Sequence, residues 1–316
     1  MKAKMNRRDA LKIMGASVTG VAASSLLSPV TYAKESFDTL IEAGYSKAET
    51  KEFLAEFPAF PQESDFYKEK EVYRGPDVIF RQIDKHTWHG NGHLCYNESI
   101  YIVEGEKAAL LIDMGTKVDD LDKIVAGITS KPIIAVATHV HPDHTGSAIN
   151  YFDELYINAG DTPSVARMMR GYKGTIKYLE DGQVFDLGGR EIEVMFTPGH
   201  TPGSTTFFDK KAGYGFSGDA FGSTNLLLAT NFSTLLATTT RTAAYMQKYG
   251  ITKLYCGHYH GNDCETLQRI LDEKLMSEEM LDGRRKPQPN DQKSNLNAMI
   301  HDHGVTIRFR DPQGIK

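Results

Sequence analysis

Cysteine is scarce in this chain: its 316 residues include only Cys95, Cys256 and Cys264. Three thiols can form at most one bridge, and a chain of this length does not need one, so a small disulfide-stapled scaffold is excluded. Positive charge is also in deficit, with 36 Lys plus Arg against 41 Asp plus Glu and a formal net charge of −5. A protein that binds polyanions by neutralising phosphates needs the opposite balance, which argues against nucleic acid as a partner. The charge-free run at 13–33 is only moderately apolar and carries small residues and Pro29, so it fits a permanent membrane span poorly. What remains is ordinary for a folded protein. Apolar residues make up 40% and charged residues 24%, which excludes collagen-like, low-complexity and wholly disordered chains. The length suits one large domain or two modest ones.

The charge is unevenly placed. Residues 1–33 hold Lys2, Lys4, Arg7, Arg8 and Lys12 but one acid, Asp9, ahead of the uncharged run. That is the layout of an export signal. The segment NRRDALK resembles a twin-arginine signal, with Arg7 and Arg8 as the pair and Leu11 and Lys12 in place, while Asn6 and Ala10 depart from the usual residues. Thr31, Tyr32 and Ala33 offer a cleavage site that would make Lys34 the first mature residue. The reading implies export through the twin-arginine translocation machinery to the periplasm or beyond, with no permanent membrane span in the mature protein. The mature chain would keep 31 basic and 40 acidic residues, a net charge of −9.

Hydrophobic periodicity in the remainder alternates between strand and helix. It predicts helices around 37–41 and 47–57, interrupted by FPAFPQ at 57–62, then a hairpin from strands at 98–104 and 107–113. Further helices are expected at 119–128 and 148–152, with strands at 132–138, 155–158, 191–197, 204–209, 214–217 and 253–256. The Thr-, Leu- and Ala-rich run 222–240 reads as a flap or substrate wall ahead of a helix at 241–249. Asp263 is the expected N-cap of a helix that Gly283 stops, 284–292 reads as a solvated loop with Arg284, Arg285 and Lys286 at the surface, and 305–310 reads as a last strand. This alternation favours an α/β layered fold.

The chemistry is concentrated at THVHPDHTG, 138–146, directly after an apolar strand. Alternate extended residues point the same way, so His139 and His141 converge, while the turn at Pro142 redirects Asp143 and His144 to a neighbouring position. Chance occurrence of this HxHxDH pattern in a chain of this composition is on the order of one in a thousand. Imidazole and carboxylate suit zinc, and the thiolates of a structural zinc cage are missing. His200 in FTPGHTPGS, Asp219 in GFSGDAFGS and His258 in LYCGHYHG occupy similar junctions of apolar strand and glycine-containing loop. His260 competes with His258, and the GH context favours His258. KHTWHGNGH, carrying His86, His89 and His93 beside Trp88, reads as a substrate-facing loop in preference to a third metal site.

On these residues the chain resembles the metallo-β-lactamase-fold metallohydrolases over about 95–260. The resemblance implies an αββα four-layer sandwich of two mixed β-sheets flanked by helices. It also implies one metal site of His139, His141 and His200 and a second of Asp143, His144 and His258, with Asp219 and a hydroxide spanning both. The implied domain plan is a signal at 1–33, an extension and start of the fold at 34–94, a metal-binding core at 95–262 and a C-terminal elaboration of the same domain at 263–316. Two zinc ions are the expected cofactors, with iron or mixed metals as alternatives, and Asp143 is the expected proton-handling residue. The expected function is hydrolysis of a small-molecule ester, lactone or thioester. Asp219 stands where the zinc β-lactamases commonly use cysteine, and Gly222 where lactonases often carry tyrosine. A β-lactamase-like amide hydrolase, a phosphodiesterase and an iron-dependent persulfide-oxidising enzyme are the alternatives.

Overall fold

The structure is a computed structural model that describes residues 69–92, 97–169, 171–290 and 295–315. These lie within one compact unit, Lys68–Lys316. The signal-like segment, the helices expected at 37–41 and 47–57, His93 and Cys95 fall outside the described residues.

Eight strands in chain order form the first sheet: β1 (Lys70–Arg74), β2 (Val78–Asp84), β3 (Thr87–Gly92), β4 (Ser99–Glu104), β5 (Ala109–Ile112), β6 (Ile133–Val136), β7 (Glu154–Ile157) and β8 (Thr175–Tyr178). Neighbours are antiparallel through β5 and parallel from β5 to β8, so the sheet is mixed. The hairpin expected at 98–113 is the β4–β5 pair. Helix α1 (Leu121–Ile128) buries Leu121 and Val125 against this sheet, and α2 (Thr162–Met168) packs Val165 and Met168 on the same core. The segment expected as a helix at 148–152 is instead a 3₁₀ turn, Ser147–Tyr151, too short for an α-helical ladder.

The second sheet has β9 (Val184–Asp186), β10 (Glu191–Phe196), β11 (Thr205–Asp209), β12 (Tyr214–Gly218), β14 (Lys253–Cys256) and β15 (Glu265–Thr266), with β12 and β14 parallel. Aromatic side chains join the two sheets: Tyr101 of β4 lies 4.9 Å from Phe216 of β12, and the Tyr101 hydroxyl donates to the Cys256 carbonyl. Phe207 and Phe216 are fully buried, each contributing roughly 1.5–3 kcal/mol relative to an exposed ring.

A third sheet was not foreseen as such. It is ordered β13 (Asn225–Leu228), β18 (Val305–Phe309), β17 (Ala298–Asp302), β16 (Gln288–Pro289), and the expected terminal strand is its β18. One face buries Leu226, Leu228, Ile300, Ile307 and Phe309 in a cluster with residues of helices α3 (Phe232–Tyr249) and α4 (Leu267–Leu281).

Three local expectations are corrected here. The run 222–240 is not a flap, because it supplies β13 and more than a full turn of α3, whose N-cap Asn231 accepts from the Thr234 amide. Thr266, not Asp263, caps α4, accepting from the Arg269 amide; Asp263 accepts from the His260 amide instead. Residues 87–92 are strand β3 and not a loop, since His89 is buried against Ser99 Oγ at 3.1 Å. Gly283, at φ +80°, follows the end of α4 as expected. Arg284 and Arg285 engage Asp282, Glu279 and Asp302.

Candidate metal centre

Five strand ends meet at one edge of the two sheets. The segment after β5 delivers Asp113, that after β6 delivers His139, His141, Asp143 and His144, and those after β10, β12 and β14 deliver His200, Asp219 and His258. Close backbone approach is needed where these loops touch. A Cβ on Gly257 would overlap Asp219 Oδ1, and one on Gly218, which sits at φ +53°, would overlap Thr138. The Gly257 amide donates to the Gly218 carbonyl at 2.8 Å, which ties the β12 and β14 ends together.

His139, His141 and His200 form one group. His139 Nε2 and His200 Nε2 each lie 3.0 Å from His141 Nδ1. Their other nitrogens are occupied: His200 Nδ1–H donates to the Leu227 carbonyl at 2.9 Å, and His139 Nδ1 is 3.2 Å from Thr138 Oγ1. The Thr138 hydroxyl donates its one proton to Asp113 Oδ2 at 2.7 Å, so toward His139 it acts as acceptor. This fixes both outer tautomers with a lone pair facing inward. Burial, with like-charged neighbours, holds His139 well below the usual histidine range, and burial with His200 lowers His141 to about 4. Neutral imidazoles are the form that binds a metal.

Asp143, His144 and His258 form the second group. His144 Nδ1–H donates to Asp113 Oδ2 at 2.8 Å, which turns Nε2 toward the centre. Burial opposes a charge on His144, yet Asp113, Asp219 and Asp143 together raise it well above the usual range; Asp219 and Asp143 likewise raise His258 against burial. Asp219 lies between the groups, its Oδ2 3.7 Å from His200 Nε2 and 3.4 Å from His258 Nε2, its Oδ1 3.6 Å from His144 Nε2. Burial would neutralise it, but His258 and His144 hold it well below the usual carboxylate range.

The donor set fits divalent metal. His144 Nε2 is fully buried with no hydrogen-bond partner among the described residues, an arrangement that is costly unless something else engages that nitrogen. The members of each group have donor atoms within 4.8 Å of one another. All seven residues singled out in the sequence are brought together here. His260 instead lies 3.7 Å from Asp263, and His86 pairs with Glu104.

Three contributors were missed. Asp113 ends an apolar strand as the other members do, so its position in ALLIDMG carried a usable signal. Asp161 accepts from the Val140 and Gly203 amides at 2.8 Å each and from the Thr201 hydroxyl at 3.0 Å, fastening the His139–His141 segment to the loop beyond His200; no sequence motif marks it. Glu98 is fully buried, accepts from the Thr116 amide at 2.9 Å, and is pushed up to about 7 by burial and by Asp143, with Thr116 and His258 opposing.

Residues 94–258 match the family model of the metallo-beta-lactamase superfamily, slightly more than half of the chain. The chain belongs to that superfamily, and its fold and centre are those of a superfamily hydrolase. It is 26% identical over 214 residues to an acyl-coenzyme A thioesterase of Gallus gallus, covering 54% of this chain and 76% of that one. It is 31% identical over 116 residues to the mitochondrial persulfide dioxygenase of Homo sapiens, covering 36% and 43% of the two chains. Among solved structures, a metallo-beta-lactamase from Pontibacter korlensis superposes with a TM-score of 0.51 at 18% identity, over 64% of this chain and 99% of that one, a likeness of fold alone.

Proposed function

We propose that the chain is a dinuclear zinc-dependent hydrolase of small acyl substrates, with thioesters ahead of simple esters and lactones. The observation that carries this reading is Asp219, one carboxylate facing both donor groups. His139, His141 and His200 would hold one ion and Asp143, His144 and His258 the other, with Asp219 shared. Imidazole and carboxylate donors with no thiolate suit zinc. Ions held there would acidify water and polarise the acyl carbonyl. Asp143, whose side chain is 21% exposed, is the carboxylate placed to pass a proton to the leaving group. Asp113 keeps His144 in the tautomer that faces the centre. The thioester preference is supported by the acyl-coenzyme A thioesterase relative.

The test is metal analysis of protein purified under native metal supply, followed by hydrolysis assays on thioesters, lactones, phosphodiesters and β-lactams. Two zinc ions per chain with thioesters as the best substrates is the expected result. One equivalent of iron with sulfur-dependent oxygen uptake would replace this reading by the chemistry named for the persulfide dioxygenase relative. We further propose that the protein is exported by the twin-arginine route, on the strength of Arg7, Arg8 and the uncharged run that follows. Replacing both arginines by lysine should retain the protein in the cytoplasm, and unchanged export would refute this assignment.

A further inference from the structure

The third sheet has two unlike faces. Ile307 and Phe309 of β18, Leu226 and Leu228 of β13 and Ile300 of β17 are buried on one of them. Alternation along each strand puts Arg308, Leu227 and Met299 on the other. The three stand side by side, with Arg308 in register with Leu227 on one flank and Met299 on the other. Leu227 is 40% exposed.

Arg308 is out of keeping with these surroundings. Its Nε and Nη1 are shielded from solvent and have no hydrogen-bond partner among the described residues. Burial alone lowers its pKa, with no carboxylate among the described residues acting against it. Other partly buried arginines are compensated: Arg190 faces Asp209, Arg269 faces Glu265, and Arg285 faces Glu279 and Asp302. A guanidinium always carries its charge and presents two donor edges, Nε with Nη2 and Nη1 with Nη2, each suited to a two-oxygen anion. Leaving Nε and Nη1, one donor of each edge, without an acceptor is unfavourable unless one arrives from outside.

The place of this arginine links it to the centre. The Leu227 carbonyl accepts the hydrogen bond from His200 Nδ1, and the Ala229 amide donates to the His200 carbonyl at 3.3 Å. Strand β13 is thus the rail on which His200 is mounted. Arg308 is one strand further on, and adjacent strands lie about 5 Å apart.

We propose that Arg308 selects the substrate: the acyl compound cleaved at the centre carries a phosphate or carboxylate remote from the scissile bond, and that anion docks on Arg308 between Leu227 and Met299. This rests on the acyl-hydrolase reading above and adds to it an anionic substrate class. Phosphate and carboxylate share the two-oxygen geometry that the fork accepts.

The test compares three probes with one acyl group, on phosphopantetheine (phosphate), mercaptosuccinate (carboxylates) and pantetheine (neutral). Wild-type and Arg308→Met holoenzymes are assayed for hydrolysis of the thioesters and, by calorimetry, for binding of the matching uncleavable S-propyl thioethers. The expected result is a loss of about 10- to 100-fold in kcat/KM and in affinity for one anionic probe, with the neutral probe changed less than twofold; this is the range for a charged hydrogen bond. Which anionic probe responds names the source of the anion. Arg308→Lys, retaining charge but not the fork, should recover part of the loss, and this recovery separates recognition from damage to the sheet. Equal losses on all three probes, or a wild type that binds neutral and anionic thioethers alike, would overturn the proposal. If wild type cleaves none of the thioesters yet prefers an anionic thioether in an Arg308-dependent way, the acyl-hydrolase reading fails and the anion site stands.

Discussion

The two halves of the centre solve opposite electrostatic problems. The His139–His141–His200 group has imidazoles crowding imidazoles, so protonation is suppressed before any ion arrives. In the Asp143–His144–His258 group, Asp113, Asp143 and Asp219 favour protonated histidines. The first half is prepared as a ligand set. The second holds protons where an ion would sit, and must release them to bind one.

The largest effect should come from breaking the first half. His141→Ala should abolish ion binding there and lower kcat by about 1,000-fold or more, since the ion contributes several kcal/mol to the reaction; near-wild-type turnover would refute the metal-centred reading. Next, Asp113→Asn should weaken the second site by about 10- to 100-fold and the first by less, because Asp113 holds His144 directly but His139 only through the Thr138 hydroxyl, measured as two stepwise affinities by calorimetry. Equal weakening of both sites would dissolve the contrast.

Acid should separate the halves without mutation. His144 and His258, with raised pKa values, take up protons first as pH falls, so metal content should drop from two ions to one before the first group is emptied. The remaining ion should persist to lower pH, because burial and His200 disfavour a proton on His141. Metal analysis after dialysis at falling pH reads the two steps, and simultaneous loss would contradict them.

A separate effect, on stability and not on ion binding or turnover, belongs to Glu98. Its carboxyl is raised from 4.5 to about 7, so the folded state favours the protonated acid. That contribution is complete below about 4.5, declines as pH rises, and is gone above about 7; it amounts to about 3 kcal/mol. Glu98→Gln should remove this slope from metal-free protein, seen in denaturant melts at pH 4.5 and 7.5.

The site was more legible than the scaffold around it. Metal-binding side chains are drawn mainly from His, Asp, Glu and Cys, and strand ends followed by glycine bring them together, so the seven positions could be read from residue type and context. The threonines of α3 concealed its first half, because β-branched residues are weak helix formers. Packing overrides that preference: Thr239 donates to the Leu235 carbonyl and Thr238 to the Pro198 carbonyl, so their hydroxyls are satisfied within or beside the helix. His89 misled in the opposite way, as a polar residue in a strand whose neighbours are all buried. Asp161 could not have been found from the sequence, since its three donors come from positions 21 to 42 residues away.

The rail carrying His200 sets an order of events in folding. Strand β13 pairs in parallel with β18, about 80 residues further along the chain. The His200 loop therefore gains its final support only when that later segment has folded back onto β13. Until then the first metal group lacks a firmly held third member, and a partly folded chain should bind its ion weakly. Assembly of the centre becomes a report that this distant pairing has been made.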